Sequence, residues 1–245
     1  MSAASQSATN GGLRVTPTME DYLKAVYQLR DETGTVTTQQ LADQLGVSGP
    51  SVTNMIKRLA ELGLLRHTRY HGGELTAAGE RIALEVIRHH RLLERYLVEA
   101  LGFSWDEVHV EAERLEHHLS EELEARLDAA LGHPTVDPHG DPIPSREGAV
   151  ADVGETRLSD LTPGEVAVVR RVSDRDPEQL RYLAALSLVP GVEVRFVAIM
   201  PFEGPIRIIV NGAEHAIGRP LATAVYVDRL FDTASTPGAA NGSDA

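Results

Sequence analysis

The sequence predicts an α+β protein of several domains, with helical domains first and a small β-rich domain last. Apolar residues recur at helical spacing through most of the chain before about residue 131. Runs rich in β-branched residues, separated by Gly and Pro, occupy about 155–232. A Pro- and Gly-rich stretch from Gly132 lies between the two regions. A length of 245 residues suits two or three such domains.

Composition excludes several kinds of site. The chain has no cysteine, which excludes disulfides, thiolate zinc sites, iron–sulfur clusters and cysteine nucleophiles. Residues 1–14 lack the apolar run of a signal peptide, and no stretch approaches the ~20 apolar residues that span a bilayer. We therefore expect a cytoplasmic protein without membrane contact, with disordered tails at 1–14 and 233–245.

The first predicted domain covers 15–77 and begins with a helix after Thr16. A short helix at 38–45, with Thr38 as its cap, is followed by a second helix that Ser48 caps. Two extended runs around His71-Gly72-Gly73 then form a hairpin. Short helix, tight turn, second helix and hairpin is the order of a winged helix-turn-helix.

The helix that Ser48 caps would enter the major groove of double-stranded DNA. Residues that could contact base edges are Ser48, Pro50, Ser51, Thr53 and Asn54. Cations that could contact phosphates are Lys57, Arg58, Arg66 and Arg69. The pattern leaves one alternative open, an ordinary helical hairpin with a solvated basic face.

The net charge of -13 argues at first against nucleic acid as a partner. The charge is segregated, however. Residues 48–72 carry four basic side chains and one acidic side chain, whereas 104–130 carry nine acidic and two basic ones. The acidic excess thus lies away from the predicted DNA-reading helix.

The second predicted domain covers 78–150 and is helical. One helix spans about 76–101, and Ser104 with Glu107 predicts a capping box for the next. Ser120 is expected to cap a third helix.

Potential metal ligands share one sector of the helix that follows Ser104. At about 100° per residue, that sector lies beside the apolar stripe. It contains His109, Glu113, Glu116 and His117. On the preceding helix His90 and Glu94 share a face at i and i+4. Imidazole and carboxylate without thiolate favour divalent Mn, Fe, Co, Ni or Zn. The alternative is a solvated helix face.

The sequence contains no HExxH, GxSxG or GxxxxGK[ST] motif that would support an enzyme, so a metal-dependent hydrolase is a minor alternative.

The third predicted domain covers 155–232. The runs VAVVRRV, VEVRFVAIM, IRIIV and TAVYV predict about five short strands, with a helical interruption at Asp176–Leu188. Such strands suggest a small barrel.

The chain resembles the diphtheria toxin repressor family of metal-dependent transcriptional repressors. The segments that carry the resemblance are MEDYLKAVYQL, VSGPSVTNMIKRL, LTAAGE, RHHRLLERYL, VHVEAERLEHHLSEELEARL and DPHGDPIP. The resemblance runs from about Thr16 to Asp232. It implies a winged-helix domain, a helical dimerisation and metal-binding domain, and an SH3-like C-terminal domain. It also implies a homodimer that binds a palindromic operator and represses genes of metal uptake, and no enzymatic activity.

The resemblance further implies two metal sites. The regulatory site would consist of Asp21, Glu113, Glu116 and His117. The ancillary site would consist of His90, Glu94 and His109, closed by Asp176 and Gln179 of the SH3-like domain.

The residues at three positions bear on which metal the chain binds and on how many ions it holds. Iron-responsive members have Met and Cys where this chain has Asp21 and Glu113, whereas the manganese-responsive branch has Asp and Glu. Carboxylates harden the site, which also favours Mn²⁺. That branch places an acidic residue one turn later for a second ion, where this chain has Lys24, so that second position is excluded. Mn²⁺ is the predicted corepressor and Fe²⁺ the alternative, with Co²⁺, Ni²⁺ or Zn²⁺ substituting in vitro.

Overall fold

The computed structural model describes residues 15–34, 36–68, 71–154, 156–202 and 204–230. Contacts group the chain into two compact units. The first consists of Met1–Asp137 and Pro142–Ala151, and the second of Pro138–Asp141 and Asp152–Ala245. The predicted tails, 1–14 and 233–245, lie outside the described residues.

Three helices open the first unit. They are α1 (Pro17–Thr33), α2 (Thr38–Leu45) and α3 (Gly49–Glu61). The cap of α2 is Thr37, not the predicted Thr38, because Thr37 forms a capping box with Gln40. The predicted cap of α3 is confirmed, since the Ser48 hydroxyl accepts from the backbone of the first turn, which also contains Pro50.

An antiparallel hairpin follows α3. Strand β1 (Leu65–Thr68) pairs with β2 (His71–Leu75). The sequence placed the turn at His71-Gly72-Gly73, but those residues begin β2. Arg69 and Tyr70 lie outside the described residues.

Three further helices and a short turn complete this unit. They are α4 (Ala77–Leu101), α5 (Val108–Leu115), a 3₁₀ turn (Glu116–His118) and α6 (Glu121–Ala130). The capping box predicted at Ser104 is not formed. Its hydroxyl instead donates to the Glu107 carboxylate at 2.9 Å, and α5 begins only at Val108. Ser120 caps α6 as predicted.

The described residues of the first unit include two apolar clusters. In the first, Val52, Ile56 and Leu59 of α3 pack with buried residues of α1 and α2, as their spacing predicted. Ala83 of α4 belongs to the same cluster. The second cluster consists of Leu93, Leu97, Val108, Ala112 and Leu127.

The second unit is built on one antiparallel sheet with strand order β6-β5-β4-β3-β7. Its elements are β3 (Val166–Val172), α7 (Pro177–Ala185), β4 (Glu193–Ile199), β5 (Ile206–Val210), β6 (Ala213–Ile217), α8 (Arg219–Thr223) and β7 (Val225–Arg229). Asn211 and Gly212 join β5 to β6 with φ of 50° and 80°, the left-handed backbone that a two-residue hairpin turn requires. Gly140 packs so tightly on β3 that a Cβ there would lie 2.0 Å from the Arg170 carbonyl oxygen.

Within the described residues, no helix combines the length and the apolar character that crossing a membrane requires.

Candidate metal centre and nucleic-acid interface

Asp21, Glu116 and His117 form a cluster of possible metal ligands. One ligand atom from each lies within 4.8 Å of the other two. Nε2 of His117 is 2.8 Å from Oδ1 of Asp21 and 3.5 Å from Oε1 of Glu116. Asp21 comes from α1, whereas Glu116 and His117 come from the 3₁₀ turn. Two distant parts of the chain therefore meet at one imidazole.

The 3₁₀ turn explains why the helical-sector prediction was only partly right. Because α5 ends at Leu115, Glu116 and His117 leave the α-helical spacing that would have kept them beside His109. Glu116 becomes 1% exposed, and His117 contacts α1. Of the four residues expected on one face, Glu116 and His117 therefore belong to this cluster, whereas His109 belongs to a second one and Glu113 to neither.

The second cluster consists of His90, Glu94 and His109. Nε2 of His90 lies 3.0 Å from Oε1 of Glu94 and 3.0 Å from Nδ1 of His109. Oε1 of Glu94 lies 3.2 Å from Nδ1 of His109. His90 and Glu94 lie one turn apart on α4, and His109 lies near the start of α5. The helical spacing of the first two was readable in the sequence.

Glu113 lies beside these clusters and is half-exposed. Its Oε1 is 3.4 Å from Nε2 of His109. The hydrogen bond from His109 is the main reason that the pKa of Glu113 falls to about 2. Glu113 also lines a cavity of about 490 Å³ together with Asp21 and His117.

Glu20 is a contributor that the sequence analysis missed. Its Oε2 lies 2.6 Å from Nδ1 of His117, so the imidazole is held between Glu20 and Asp21. Burial alone would lower the pKa of His117, but the hydrogen bonds to Asp21 and Glu20, together with the charges of Asp21 and Glu116, raise it to about 10. The only sequence signal was the adjacency of Glu20 to Asp21.

Lys24 lies between the two clusters. Its Nζ is 2.9 Å from both carboxylate oxygens of Glu116 and 3.5 Å from Nδ1 of His90. Burial opposes ionisation of Glu116, but hydrogen bonds from His90 and Lys24, together with their charges, hold the pKa of that carboxyl below its usual range.

Asp176 and Gln179 belong to the second unit, at the start of α7. Oδ1 of Asp176 accepts from the backbone N–H groups of Glu178, at 2.9 Å, and Gln179, at 3.3 Å. Nε2 of Gln179 donates to Oδ2 of Asp176 at 3.1 Å. Asp176 is thus an N-cap, and its part in a metal site stays a prediction.

The donor chemistry of the first unit fits a divalent transition metal. Both clusters combine imidazole nitrogen with carboxylate oxygen and contain no sulfur. Such donor sets suit Mn²⁺, Fe²⁺ and Zn²⁺ better than soft ions.

The residues predicted to face DNA are exposed on α3 and β1. Those exposed are Ser48, Pro50, Ser51, Thr53, Asn54, Lys57, Arg58 and Arg66. The hydroxyls of Ser48 and Ser51 lie 2.8 Å apart, and the Thr53 hydroxyl donates to the Gly49 carbonyl oxygen. Asn54 and Lys57 thus extend from the outer face of a helix whose inner face is buried. Arg69 lies outside the described residues.

Three family models match consecutive parts of the chain. The N-terminal DNA-binding domain of iron-dependent repressors matches residues 14–73. The metal-binding and dimerisation domain of the same proteins matches residues 76–145, and the FeoA domain matches residues 156–229.

Curated relatives cover almost the whole chain. The iron-dependent repressor IdeR of Mycobacterium tuberculosis is 35% identical over 226 residues, which cover 87% of this chain and 97% of the relative. The diphtheria toxin repressor of Corynebacterium efficiens is 34% identical over 227 residues, which cover 87% and 96%. This chain belongs to the diphtheria toxin repressor family. It is a metal-dependent transcriptional repressor and not an enzyme, which sets aside the hydrolase alternative.

Solved structures confirm the fold of the repressor. A manganese-dependent transcriptional repressor in complex with manganese is 41% identical, with a TM-score of 0.81 over 86% of this chain and 100% of that chain. The IdeR of T. acidophilum is 32% identical, with a TM-score of 0.71 over 88% and 100%. The predicted fold class is confirmed: a winged helix-turn-helix, a helical dimerisation domain and an SH3-like domain. The matched domains indicate DNA and a second copy of the repressor as its partners.

Proposed function

We propose that Mn²⁺ controls the repressor and that the loaded homodimer binds a palindromic operator, repressing genes of metal uptake in the cytoplasm. The observation that carries the choice of metal is the cluster of Asp21, Glu116 and His117. Two carboxylates and one imidazole without sulfur make a hard donor set. The similarity to a manganese-dependent repressor with a TM-score of 0.81 agrees with this choice.

The proposal retains both predicted sites. The regulatory site consists of Asp21, Glu113, Glu116 and His117. The ancillary site consists of His90, Glu94, His109, Asp176 and Gln179. The three-residue clusters support the core of each site, and the shared cavity supports Glu113 as a neighbour of Asp21.

The regulatory site connects the DNA-binding part to the dimerisation part. A divalent ion bound there would neutralise the facing carboxylates and so favour the closed arrangement of α1 and the 3₁₀ turn. His117 already holds the two elements together through Asp21 and Glu20. Because α1 and α3 share one apolar core, a fixed α1 also fixes the DNA-reading helix. The loaded state is then the DNA-competent state.

DNA recognition is assigned to α3 and the hairpin. Base edges would be contacted by Ser48, Pro50, Ser51, Thr53 and Asn54, and phosphates by Lys57, Arg58, Arg66 and Arg69. In a homodimer the two copies of α3 would read half-sites spaced about 34 Å apart, one turn of DNA. This spacing predicts an operator with inverted repeats.

A selection experiment tests the proposal. Metal-stripped repressor is mixed with random duplex DNA, with a chelator, with Mn²⁺ or with Fe²⁺ in the absence of oxygen, and retained duplexes are sequenced. We expect an inverted repeat to be enriched with metal and not with the chelator. Retention that does not depend on metal, or retained sequences without an inverted repeat, would contradict the proposal.

Fe²⁺ is the second candidate because of the matches to iron-dependent repressor domains and the 35% identity to IdeR. The Irving–Williams order makes Fe²⁺ bind at least as tightly as Mn²⁺ in vitro. The Mn²⁺ and Fe²⁺ experiments are therefore compared by the concentration of each metal that gives half-maximal DNA retention. A response to Fe²⁺ alone would assign the repressor to iron.

A further inference from the structure

Lys24 is a buried cation between the two ligand clusters. It is 7% exposed, and its Nζ lies 2.9 Å from each oxygen of the Glu116 carboxylate. Lysine is seldom buried unless it is paired, because removing an ammonium from water is costly. Glu116, at 1% exposure, is the partner that compensates this cost.

Glu116 faces both clusters. Its Oε1 is 3.5 Å from Nε2 of His117, and its Oε2 is 2.5 Å from Nδ1 of His90. Lys24 contacts the same two oxygens. The acceptor sites of this one carboxylate are thus shared among an ammonium and two imidazoles.

A divalent ion that enters the Asp21–Glu116–His117 cluster meets this ammonium. Such an ion would be held in part by Glu116, and the carboxylate of Glu116 already lies against the positive charge of Lys24. The Lys24 ammonium already neutralises part of the charge of the Glu116 carboxylate, which would attract the ion. The same ammonium repels the positively charged ion. In a buried site this repulsion is weakly screened.

We propose that the Lys24 ammonium is a resident competitor for Glu116, which weakens metal binding and so sets the metal concentration at which the repressor loads. This inference rests on the proposed metal site. It goes beyond the exclusion of a second ion, because it concerns the affinity for the first. The competing interpretation is that Lys24 only holds Glu116 in place, in which case its loss would weaken metal binding.

The test uses the full-length, metal-stripped repressor carrying His109→Ala, a change that removes a donor from the second cluster. Lys24→Met is compared with Arg81→Met, which removes the same charge from an exposed position on α4. Free Mn²⁺ is measured by electron paramagnetic resonance during titration. Thermal unfolding is measured with and without Mn²⁺.

We expect Lys24→Met to bind Mn²⁺ about tenfold more tightly than its parent. Its metal-free form should melt at a lower temperature, because Glu116 loses its buried partner. Its rise in melting temperature on adding Mn²⁺ should be larger, because tighter binding stabilises more. Arg81→Met should leave both quantities unchanged.

Equal or weaker Mn²⁺ binding by Lys24→Met would overturn the role of Lys24 as a competitor. If Lys24→Met does not fold without metal, Lys24→Gln is titrated instead. That variant keeps a donor for Glu116 and removes the charge, so the same tightening is expected and weaker binding again contradicts the proposal. A parent chain that binds no Mn²⁺ contradicts the proposed function itself, which separates the two failures.

Discussion

Nε2 of His117 lies 2.8 Å from Oδ1 of Asp21, across a sequence separation of 96 residues. This contact joins the first helix of the DNA-binding part to the turn that follows α5. We expect Asp21→Ala to weaken Mn²⁺ binding at least about tenfold and to abolish metal-dependent operator binding, because a ligand and the bridge are both lost. The measurements are Mn²⁺ titration and duplex retention. Asp152→Ala, at an exposed position in the second unit, is the matched control. Operator binding that stays equally Mn²⁺-dependent in Asp21→Ala would refute the bridge.

Glu20→Gln tests how His117 is oriented. The Glu20 carboxylate accepts a hydrogen bond from Nδ1 of His117. This contact orients the imidazole so that its Nε2 faces Asp21 and Glu116. Carboxylates that orient a ligating histidine typically contribute ten- to a hundredfold to metal affinity. We expect about a tenfold loss of Mn²⁺ affinity, together with a lower free energy of unfolding of the metal-free protein, because His117 loses a hydrogen-bond partner. Glu193→Gln, on the exposed face of β4, is the control. Unchanged Mn²⁺ affinity in Glu20→Gln would mean that the 3₁₀ turn alone orients the imidazole.

Asn54 and Lys57 should have different effects on DNA binding. We expect Asn54→Ala to cost about 1–3 kcal/mol on the preferred operator and to relax the choice of base at one position in each half-site. Lys57→Gln should weaken binding to all duplexes alike and reduce the salt dependence of binding by about one phosphate contact in each half-site. Titrations of matched and mutated duplexes at several salt concentrations measure both effects. A uniform loss in Asn54→Ala, with the same base preference, would remove that residue from direct base recognition.

A buried ion network predicts the acid sensitivity of the first unit. Nε2 of His89 lies 3.6 Å from Oε2 of Glu124, and Nε of Arg88 donates to Oε1 at 2.6 Å. The interactions with His89 and Arg88 lower the pKa of Glu124 to about 2. A carboxyl with a depressed pKa stabilises the fold fully above its unfolded pKa near 4.5, and that contribution disappears as the pH falls toward 2. We expect Glu124→Gln to lower the free energy of unfolding by about 3 kcal/mol at pH 7, with a smaller deficit at pH 3.

Denaturant unfolding at the two pH values measures this effect. Glu122→Gln is the control because Glu122 forms an exposed pair with Arg126, and such pairs contribute little. A deficit that is the same at pH 7 and pH 3 would show that Glu124 acts by packing and not by its charge.

The local parts of this fold were readable from the sequence. Helix α3 was predicted because its signals are its own: a capping serine, a proline in the first turn and three apolar residues at helical spacing. The predicted strands of the second unit follow from runs of β-branched residues for the same reason. Such features depend on neighbours in the chain.

The site was less readable because its geometry departs from regular periodicity. A 3₁₀ turn at Glu116–His118 changes which side chains share a face, and nothing in the sequence marked it. The contacts of Glu20 and Lys24 with His117 and Glu116 cross more than 90 residues. A pattern of spacing does not encode such contacts, although the types and spacing of the His and Glu residues had predicted metal-binding chemistry.

The apolar core of the DNA-binding part has a consequence for exchanging modules between relatives. That core includes Ala83, and Ala78 and Ile82 pack against it, so α4 supplies part of it. The boundary between the two family matches falls at residues 73–76, before any of these side chains. A hybrid repressor joined at that boundary would take most of this core from one parent and the residues of α4 from the other. These side chains would not have been selected to pack against each other. A crossover within α4, after Ala83, would instead keep the whole of this apolar core in one parent.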